Sequence, residues 1–536
     1  MSSEGTTLSK RCLLRITAAD RQRLESLVFK RYPEKEWGSF FLFGYRITRW
    51  GLHISFVETL CPHSGDLDEH SGIVEFNARY ILRAQLQAEA TALAVGVIHS
   101  HPQNSGTGAS MLDNDMDSYF AREFHNYTPG RPYVSVRVAL SSTGAFTFSG
   151  EAWVANETMP ITNWLTIGEQ LERHAAESIL FGYRNFEDRD EPRARLTELL
   201  GESAGIRLRN ATVGVVGCSG LGSPAVHVLV RAGVSRFVLV DPELFASSNL
   251  ERLHGSTWRD LSSTPAKVSI LRRLILEIEP NADVIMIRGN VLDEAVLDAL
   301  LTCDLVLGCT DTQHSRAALG DFASHYLLPC LDAAVLMRAQ NGKLSEQVGE
   351  IARYSPDEPC PWCLGKINQR TLAYELMSDE ERTRRGDAAA HAVRRGIDGQ
   401  QYWGDAPPME LTVGYMTTVV GGMQAGYAEA WLTGSGSAPH QRFQFDLGMP
   451  LLGVVPDEKR RRSECSCNYT KGWADQGRCE RSVTKPDHWG TFKTADASGL
   501  DLPRVAIGID APSQTLGFLP AIRQAFERVR QFLRSR

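Results

Sequence analysis

Residues 211–245 read ATVGVVGCSGLGSPAVHVLVRAGVSRFVLVDPELF, and the order of residue types in this stretch decides the fold of the larger part of the chain. TVGVV is a short uncharged run rich in β-branched residues, the composition of a strand covered on both faces. A glycine-rich turn follows, then a helical stretch, then RFVLV as a second strand ending in Asp241. Strand, tight turn, helix and parallel strand form one βαβ unit. Gly217, Gly220 and Gly222 let the backbone turn sharply and come close to phosphates at the helix N-terminus. Asp241, at the end of the second strand, can accept from ribose hydroxyls. Taken alone, this pattern points to an NAD-dependent dehydrogenase.

The segments downstream argue against a dehydrogenase. Apolar strands ending at CDLVLGCTD and LPCLDAAV extend the sheet, and MTTVVGGMQAGYAEAWLTG reads as a packed helix. Between and beside them stand DPELFASSNLERL, PAKVSILRRL and GCTDTQHSR. These segments resemble the adenylating domain of the ThiF/MoeB and ubiquitin-activating enzyme family over about residues 190–450, with Asp241, Asn249, Arg252, Lys267 and Asp311 in the family's order. The resemblance implies ATP, magnesium and adenylation of a carboxylate. Arg252 and Lys267 would neutralise phosphates in an in-line displacement, and Asp311 would hold Mg2+. It also implies a homodimer or pseudo-dimer, because Arg193 or Arg195 in PRARL stands where the family has an arginine reaching the ATP of the partner subunit. Ser219 departs from the family, which usually has a third glycine there.

Upstream, residues 36–60 and 133–140 alternate as strands and 77–94 carry a helical period, an α+β domain of about 150 residues. Within it lies GVIHSHPQNSGTGASMLDND, residues 96–115. Alternate residues of an extended segment point the same way, so His99 and His101 present two imidazoles together, and Asp113 can add a carboxylate. Three protein ligands and one water make a catalytic zinc site. With Glu36, Pro102 and Ser110, the segment resembles the JAB1/MPN/Mov34 (JAMM) metalloprotease family over about residues 10–155. The resemblance implies that His99, His101 and Asp113 bind zinc, that Glu36 is the general base, and that Ser110 hydrogen-bonds the developing oxyanion. It implies hydrolysis of peptide or isopeptide bonds at the C-terminus of a ubiquitin-like protein. The spacer between His101 and Ser110 has eight residues, one more than the family's, which leaves Asp115 and Asp117 as alternative ligands.

Cys360 and Cys363 form CPWC, and Cys465 and Cys467 form CSC, two thiol pairs suited to a closed structural zinc site, with Cys479 as a replacement ligand. Residues 364–464 contain no cysteine, although ubiquitin-activating enzymes carry their acyl-accepting cysteine there. The adenylate is therefore the final product, or a hydroxyl (Ser378, Thr383 or Thr412) or Cys479 accepts the acyl group. Cys218, Cys309 and Cys330 read as buried small hydrophobes.

At 536 residues, with 43% hydrophobic and 23% charged residues and a net charge of -7, the chain has the composition of a multidomain globular protein rather than a nucleic-acid binder or a disordered chain. The first residues lack the apolar core of a secretory signal, no segment is apolar enough to span a membrane, and eleven cysteines suit a reducing compartment, so a cytoplasmic location is expected. The expected fold class is α/β multidomain: a JAB/MPN domain at 1–155, a helical connector with the candidate arginine finger at 156–205, a Rossmann-like adenylating domain at 206–455, and a zinc-associated loop with an amphipathic terminal helix at 456–536. The two halves together resemble the enzymes of bacterial ubiquitination-like operons. Expected partners are a ubiquitin-like modifier and a conjugating-enzyme-like protein. The alternative is processing and activation of a sulfur-carrier protein for cofactor or cysteine biosynthesis.

Overall fold

Phe40, Phe41, Leu42 and Phe43 are consecutive and all buried, so their strand is covered on both faces. Phe41 and Phe43 join one core with Ile54, Val136 and Trp164, while Phe40 and Leu42 join another with Tyr80, Phe120 and Phe124 from two helices. One strand thus feeds two apolar layers, which is why its sequence runs apolar instead of alternating.

The computed structural model describes residues 11–176, 191–396, 412–436, 441–448 and 460–490, apart from positions 32, 34, 71–72, 103–105, 142, 156 and 478. The chain divides into a unit Met1–Ala495 and a second, Asp496–Arg536. The second unit, with the expected terminal helix, lies outside the described residues.

The N-terminal strands are β1 (Arg11–Thr17), β2 (Gly38–Thr48), β3 (Gly51–Leu60), the hairpin β4 (Leu67–His70) and β5 (Ile73–Phe76), β6 (Ala94–Ser100), β7 (Tyr133–Leu140), β8 (Phe146–Val154), β9 (Glu157–Ile167) and β10 (Leu171–Ala175). Eight of them form one sheet in the order β1-β3-β2-β6-β7-β8-β9-β10, and β1 also pairs with β9, so the sheet closes on itself. This corrects the expected boundary at residue 155 and the helical character of the whole connector. Residues 157–175 are strands because Ile161, Trp164, Leu165 and Ile167 complete the core around β1. Among the described residues of the connector, helix is confined to Ala194–Leu200 and the start of Glu202–Asn210, with a 3-10 turn before them.

The second sheet consists of β11 (Thr212–Val216), β12 (Arg236–Val240), β13 (Asp283–Ile287), β14 (Leu305–Gly308), β15 (Cys330–Gln340), β16 (Lys343–Tyr354) and β17 (Arg442–Asp446). Its order is β13-β12-β11-β14-β15-β16-β17, with the first five parallel and the last two antiparallel. The order reverses between β11 and β14, which opens a crevice beyond their C-terminal ends, the usual ligand position in such sheets. The helix Gly414–Thr433 packs against the helix Gly222–Ala232 that leaves this crevice. Its fully buried Gln424 donates to the carbonyls of Gly308 (3.1 Å) and Leu331 (2.8 Å), fixing the ends of β14 and β15. Gln424→Leu keeps the volume but leaves both carbonyls without that donor. It is expected to lower unfolding free energy by about 2–4 kcal/mol, read from the midpoint of chemical denaturation.

The two sheets meet through buried polar contacts. Arg15 of β1, fully buried, donates to the carbonyls of Leu301 (2.6 Å) and Cys303 (3.0 Å), capping the end of the helix Glu294–Leu300. Arg173 pairs with Asp304 at 2.6 Å, and the Trp431 indole donates to Gly168 O at 3.0 Å. Among the described residues no helix is long and apolar enough to cross a membrane.

Candidate functional site

Antiparallel pairing sets Gly38 of β2 opposite His99 of β6, a register that carries Glu36, two residues earlier, alongside His101. The intervening Ser100 points the other way and donates to Val28 O at 2.6 Å, so the two histidines share a face. Asp113 arrives in the first turn of the helix Met111–Tyr127. His99 Nε2 lies 3.1 Å from Asp113 Oδ1, His101 Nε2 lies 3.6 Å from Asp113 Oδ2, and the two Nε2 atoms are 3.2 Å apart. A tetrahedral zinc with bonds of 2.0–2.1 Å has ligand atoms about 3.3 Å apart, so the donor set fits that metal in type and spacing. His101 Nδ1 must carry a proton, because it lies 3.0 Å from the carbonyl of Gly106, which can only accept. That leaves the Nε2 lone pair for a metal.

The electrostatics suit the same use. Burial pushes the His99 pKa down and keeps the ring neutral. Burial alone would raise Asp113, but hydrogen bonds from both histidines hold it well below the usual carboxylate range. Glu36 is pushed up by burial, with His101 opposing and Asp113 reinforcing, and it accepts from the backbone of Val74. Ser110 is first of all a helix cap: its Oγ accepts Asp113 N–H at 3.1 Å while Asp113 Oδ2 accepts Ser110 N–H at 2.7 Å. Its hydroxyl proton stays available to a ligand. The alternative carboxylates are elsewhere. Asp115 is exposed, and Asp117 pairs with buried Arg137 at 3.0 Å.

In the second crevice the glycines answer to close backbone approach. Gly217 has φ +100°, and a Cβ there would sit 2.6 Å from Cys309 O. A Cβ on Gly222 would sit 2.0 Å from Gly217 O, while one on Gly220 would meet Arg252 and Thr417 at 3.3 Å. Ser219 fits the turn through its carbonyl, which accepts Ser223 N–H at 2.9 Å. Buried Asp241 accepts Cys218 N–H at 2.8 Å and Glu243 N–H at 2.9 Å. Burial raises its pKa, against which Lys267 and these two donors pull. Lys267 is buried and paired with exposed Glu243. Asn249 Oδ1 accepts Ala246 N–H at 3.0 Å, and Arg252 Nη1 donates to Thr412 O at 3.0 Å and Oγ1 at 3.2 Å. Asp311 is exposed just beyond β14.

Arg193 lies away from the glycine loop of its own chain. It donates to the carbonyls of Arg231 (3.2 Å) and Val230 (3.4 Å) and pairs with Glu279 (2.9 Å), at the C-terminal end of the helix whose N-terminus faces the glycine loop. The negative end of that helix attracts the guanidinium. Arg195 is exposed. Two residues escaped the sequence reading: Thr417, which closes on Gly220, and Glu375, which accepts the N–H groups of Gln313 (2.9 Å) and His314 (3.0 Å) at the start of the helix after Asp311. The threonine pair in MTTVV carried no local signal, and the glutamate lies in a segment remote in sequence.

The third cluster joins Cys360 to Cys465 (3.5 Å) and Cys363 to Cys467 (3.8 Å), with all four sulfurs within 4.8 Å of one another. Zinc–sulfur bonds near 2.3 Å give sulfurs about 3.8 Å apart, so these thiols fit a structural zinc. Cys479 stands outside the cluster, its thiol pushed up to about 12 by burial and by Asp321 and Asp475. Ser378 caps the helix Asp379–Arg394, and Thr383 donates within it, which leaves Thr412 as the hydroxyl beside Arg252.

A model of the ThiF family matches residues 192–467, just over half of the chain. "Adenylyltransferase and sulfurtransferase uba4" of Aspergillus niger is 33% identical over 144 residues, covering 27% of this chain and 30% of that protein. "Molybdopterin-synthase adenylyltransferase" of Salmonella typhimurium is 30% identical over 162 residues, 30% of this chain and 61% of that one. "Sulfur carrier protein ThiS adenylyltransferase" of Escherichia coli is 33% identical over 110 residues, 20% and 43% of the two chains. The chain thus spans from 30% to 61% of the length of these relatives. Among solved structures, E. coli MccB with ATP is similar at 14% identity and a TM-score of 0.39, over 52% of this chain and 74% of that one.

Proposed function

The chain belongs to the ThiF family, and from that premise we propose that its C-terminal half adenylates the C-terminal carboxylate of a ubiquitin-like protein, while its N-terminal domain is a zinc-dependent (iso)peptidase for the same class of tail. The observation that carries the pairing is the convergence of His99, His101 and Asp113 beside Glu36 in a chain whose second sheet belongs to that family. A protease that exposes or releases a C-terminal carboxylate and an enzyme that activates one act on the same atoms.

In the adenylating half, the helix Gly222–Ala232 directs its first N–H groups and positive dipole end at ATP phosphates. Lys267 and Arg252 add charge that offsets the pentavalent phosphate as the substrate carboxylate attacks and pyrophosphate leaves. Asp241 holds the glycine loop through Cys218 N–H and keeps lone pairs for the ribose. Asp311 would hold Mg2+ at this site. In the peptidase half, His99, His101 and Asp113 would hold zinc, which would make a water acidic enough to ionise near neutral pH. Glu36 would serve as the base that takes a proton from the attacking water and returns it to the leaving amine, and Ser110 would donate to the oxyanion.

With no cysteine in residues 364–464, the adenylate itself leaves or an oxyester forms on Thr412, the hydroxyl next to Arg252. A homodimer fits the exposed apolar side chains Leu199, Ile206, Val228, Tyr415 and Val419, with Arg193 or Arg195 the arginine to reach across the interface. A conjugating-enzyme-like protein would receive the activated tail. The second reading, activation of a sulfur carrier, is favoured by the names of the relatives and by the missing cysteine.

The test is ATP–pyrophosphate exchange dependent on a purified ubiquitin-fold protein. Lys267→Ala is expected to lower exchange about 10²-fold. Exchange absent with every ubiquitin-fold candidate would sink the adenylation proposal, and a thiocarboxylate product would select the sulfur-carrier reading.

A further inference from the structure

β7 reads YVSVRVAL, with one arginine inside an apolar run, and that arginine is 3% exposed. Burying a guanidinium costs several kcal/mol unless its donors are matched, so its partners indicate what it organises. Arg137 Nη1 donates to Asp117 Oδ2 at 3.0 Å, and its Nε to Thr107 O and Ser149 Oγ at 3.3 Å each. Ser149 Oγ donates to the same Thr107 carbonyl.

The place of Arg137 in the sheet and two of its contacts lead to the three ligand-bearing elements. In the β6–β7 register Arg137 stands directly beside His99. Asp117 lies one turn after Asp113 on the helix Met111–Tyr127. Thr107, fully buried, adjoins Gly106, whose carbonyl accepts the Nδ1 proton of His101. One residue therefore stands beside the ligand strand by register and touches with its side chain the helix and the loop from which the other ligands are held.

We propose that Arg137 is the positioning residue of the His99–His101–Asp113 site, and that it is what makes the one-residue-longer spacer compatible with metal geometry. The proposal rests on the reading of these residues as a zinc site. Thr107 O, held by two donors, is a fixed point between His101 and Ser110. Gly106 orients the imidazole on one side of it and Ser110 starts the helix on the other. The length of chain between His101 and Gly106 then no longer sets the ligand positions. Lysine could pair with Asp117 but lacks the planar fork that reaches Thr107 O and Ser149 at once.

The experiment uses the full chain with zinc at both clusters, or with Co2+, whose bands at the histidine site lack the sulfur charge transfer of the cysteine site. Arg137→Met is expected to weaken zinc at the histidine site about 10–100-fold, the usual range for groups that support metal ligands, and to alter its Co2+ visible bands. ATP–pyrophosphate exchange should stay unchanged, and Arg137→Lys should restore affinity in part. A folded Arg137→Met with wild-type zinc affinity and Co2+ bands would overturn the proposal. Should that variant not fold, Arg137→Lys, which keeps a charge for Asp117 but loses the fork on Thr107 O and Ser149, is the second variant, and wild-type Co2+ bands and zinc affinity there would overturn it equally. A wild-type chain that takes no metal at the histidines overturns the underlying reading instead, which separates the two failures.

Discussion

Glu36→Gln is expected to lower hydrolysis of a ubiquitin-like fusion by about 10²–10⁴-fold while zinc stays bound and ATP–pyrophosphate exchange is untouched. The substitution is nearly isosteric, and the amide oxygen can still accept from the backbone of Val74, so the end of β2 keeps its shape. What is lost is the capacity to take a proton. Glu36 suits that task because burial raises its proton affinity above that of an ordinary carboxylate, while its place alongside His101 puts it next to any water that completes the metal shell. None of the three ligand atoms belongs to Glu36, so metal content should not fall. Cleavage assay, metal analysis and exchange on one preparation separate the outcomes. Cleavage at wild-type rate with zinc present would mean another group is the base. Loss of zinc would mean Glu36 is a ligand.

The parts of this fold that could be read in the sequence are those whose cause is local. Gly217 is required by its own φ of +100° and Gly222 by close contact with Gly217 O just before it in the chain, and the alternation in HSH follows from the strand that carries it. Closure of the N-terminal sheet is different. It rests on parallel pairing of β1 with β9, about 150 residues later, and no periodicity in PITNWLTI announces that partner. Inward-facing arginines, Arg15 and Arg137 buried and Arg173 half-buried, were hidden for a related reason. Arg15, Arg137 and Arg173 lie in strands where a charge ordinarily marks a solvent face, but here the second face is covered by the other sheet or by a loop. Arg193 shows another side of this: within its own chain it meets the carbonyls at the end of the helix Gly222–Ala232, a contact its residue type alone does not announce. Cys479 and the CSC pair could not be told apart by spacing, because which thiols join Cys360 and Cys363 depends on how the chain returns after β17.

Cys363→Ser is expected to lower unfolding free energy by about 3 kcal/mol or more, roughly 6–12 °C in thermal midpoint for a domain of this kind. The reason lies beyond the cluster. A few residues after Cys467 the chain runs between the two sheets: Lys471 pairs with Asp20 at 2.7 Å and the Gln476 side chain accepts Tyr45 N–H at 2.7 Å on one side. On the other side, Gly472 N–H donates to Ser324 O at 2.9 Å and Ala474 N–H to His325 O at 2.8 Å. Gly472 is forced by contact, since a Cβ there would meet Phe56 O at 2.3 Å. Almost no regular secondary structure supports this stretch, only the short turn Ser466–Asn468, so its register depends on where Cys465 and Cys467 are fixed. A zinc at the four sulfurs would fix them against Cys360 and Cys363, and thereby hold the N-terminal sheet and the second sheet to one strap. Hydrogen exchange checks this directly: in Cys363→Ser the amides of Tyr45, Gly472 and Ala474 should lose protection together. If the thermal midpoint falls while those three amides stay protected, the cluster stabilises only its own loop, and the junction between the sheets rests on Arg15 and Arg173 instead.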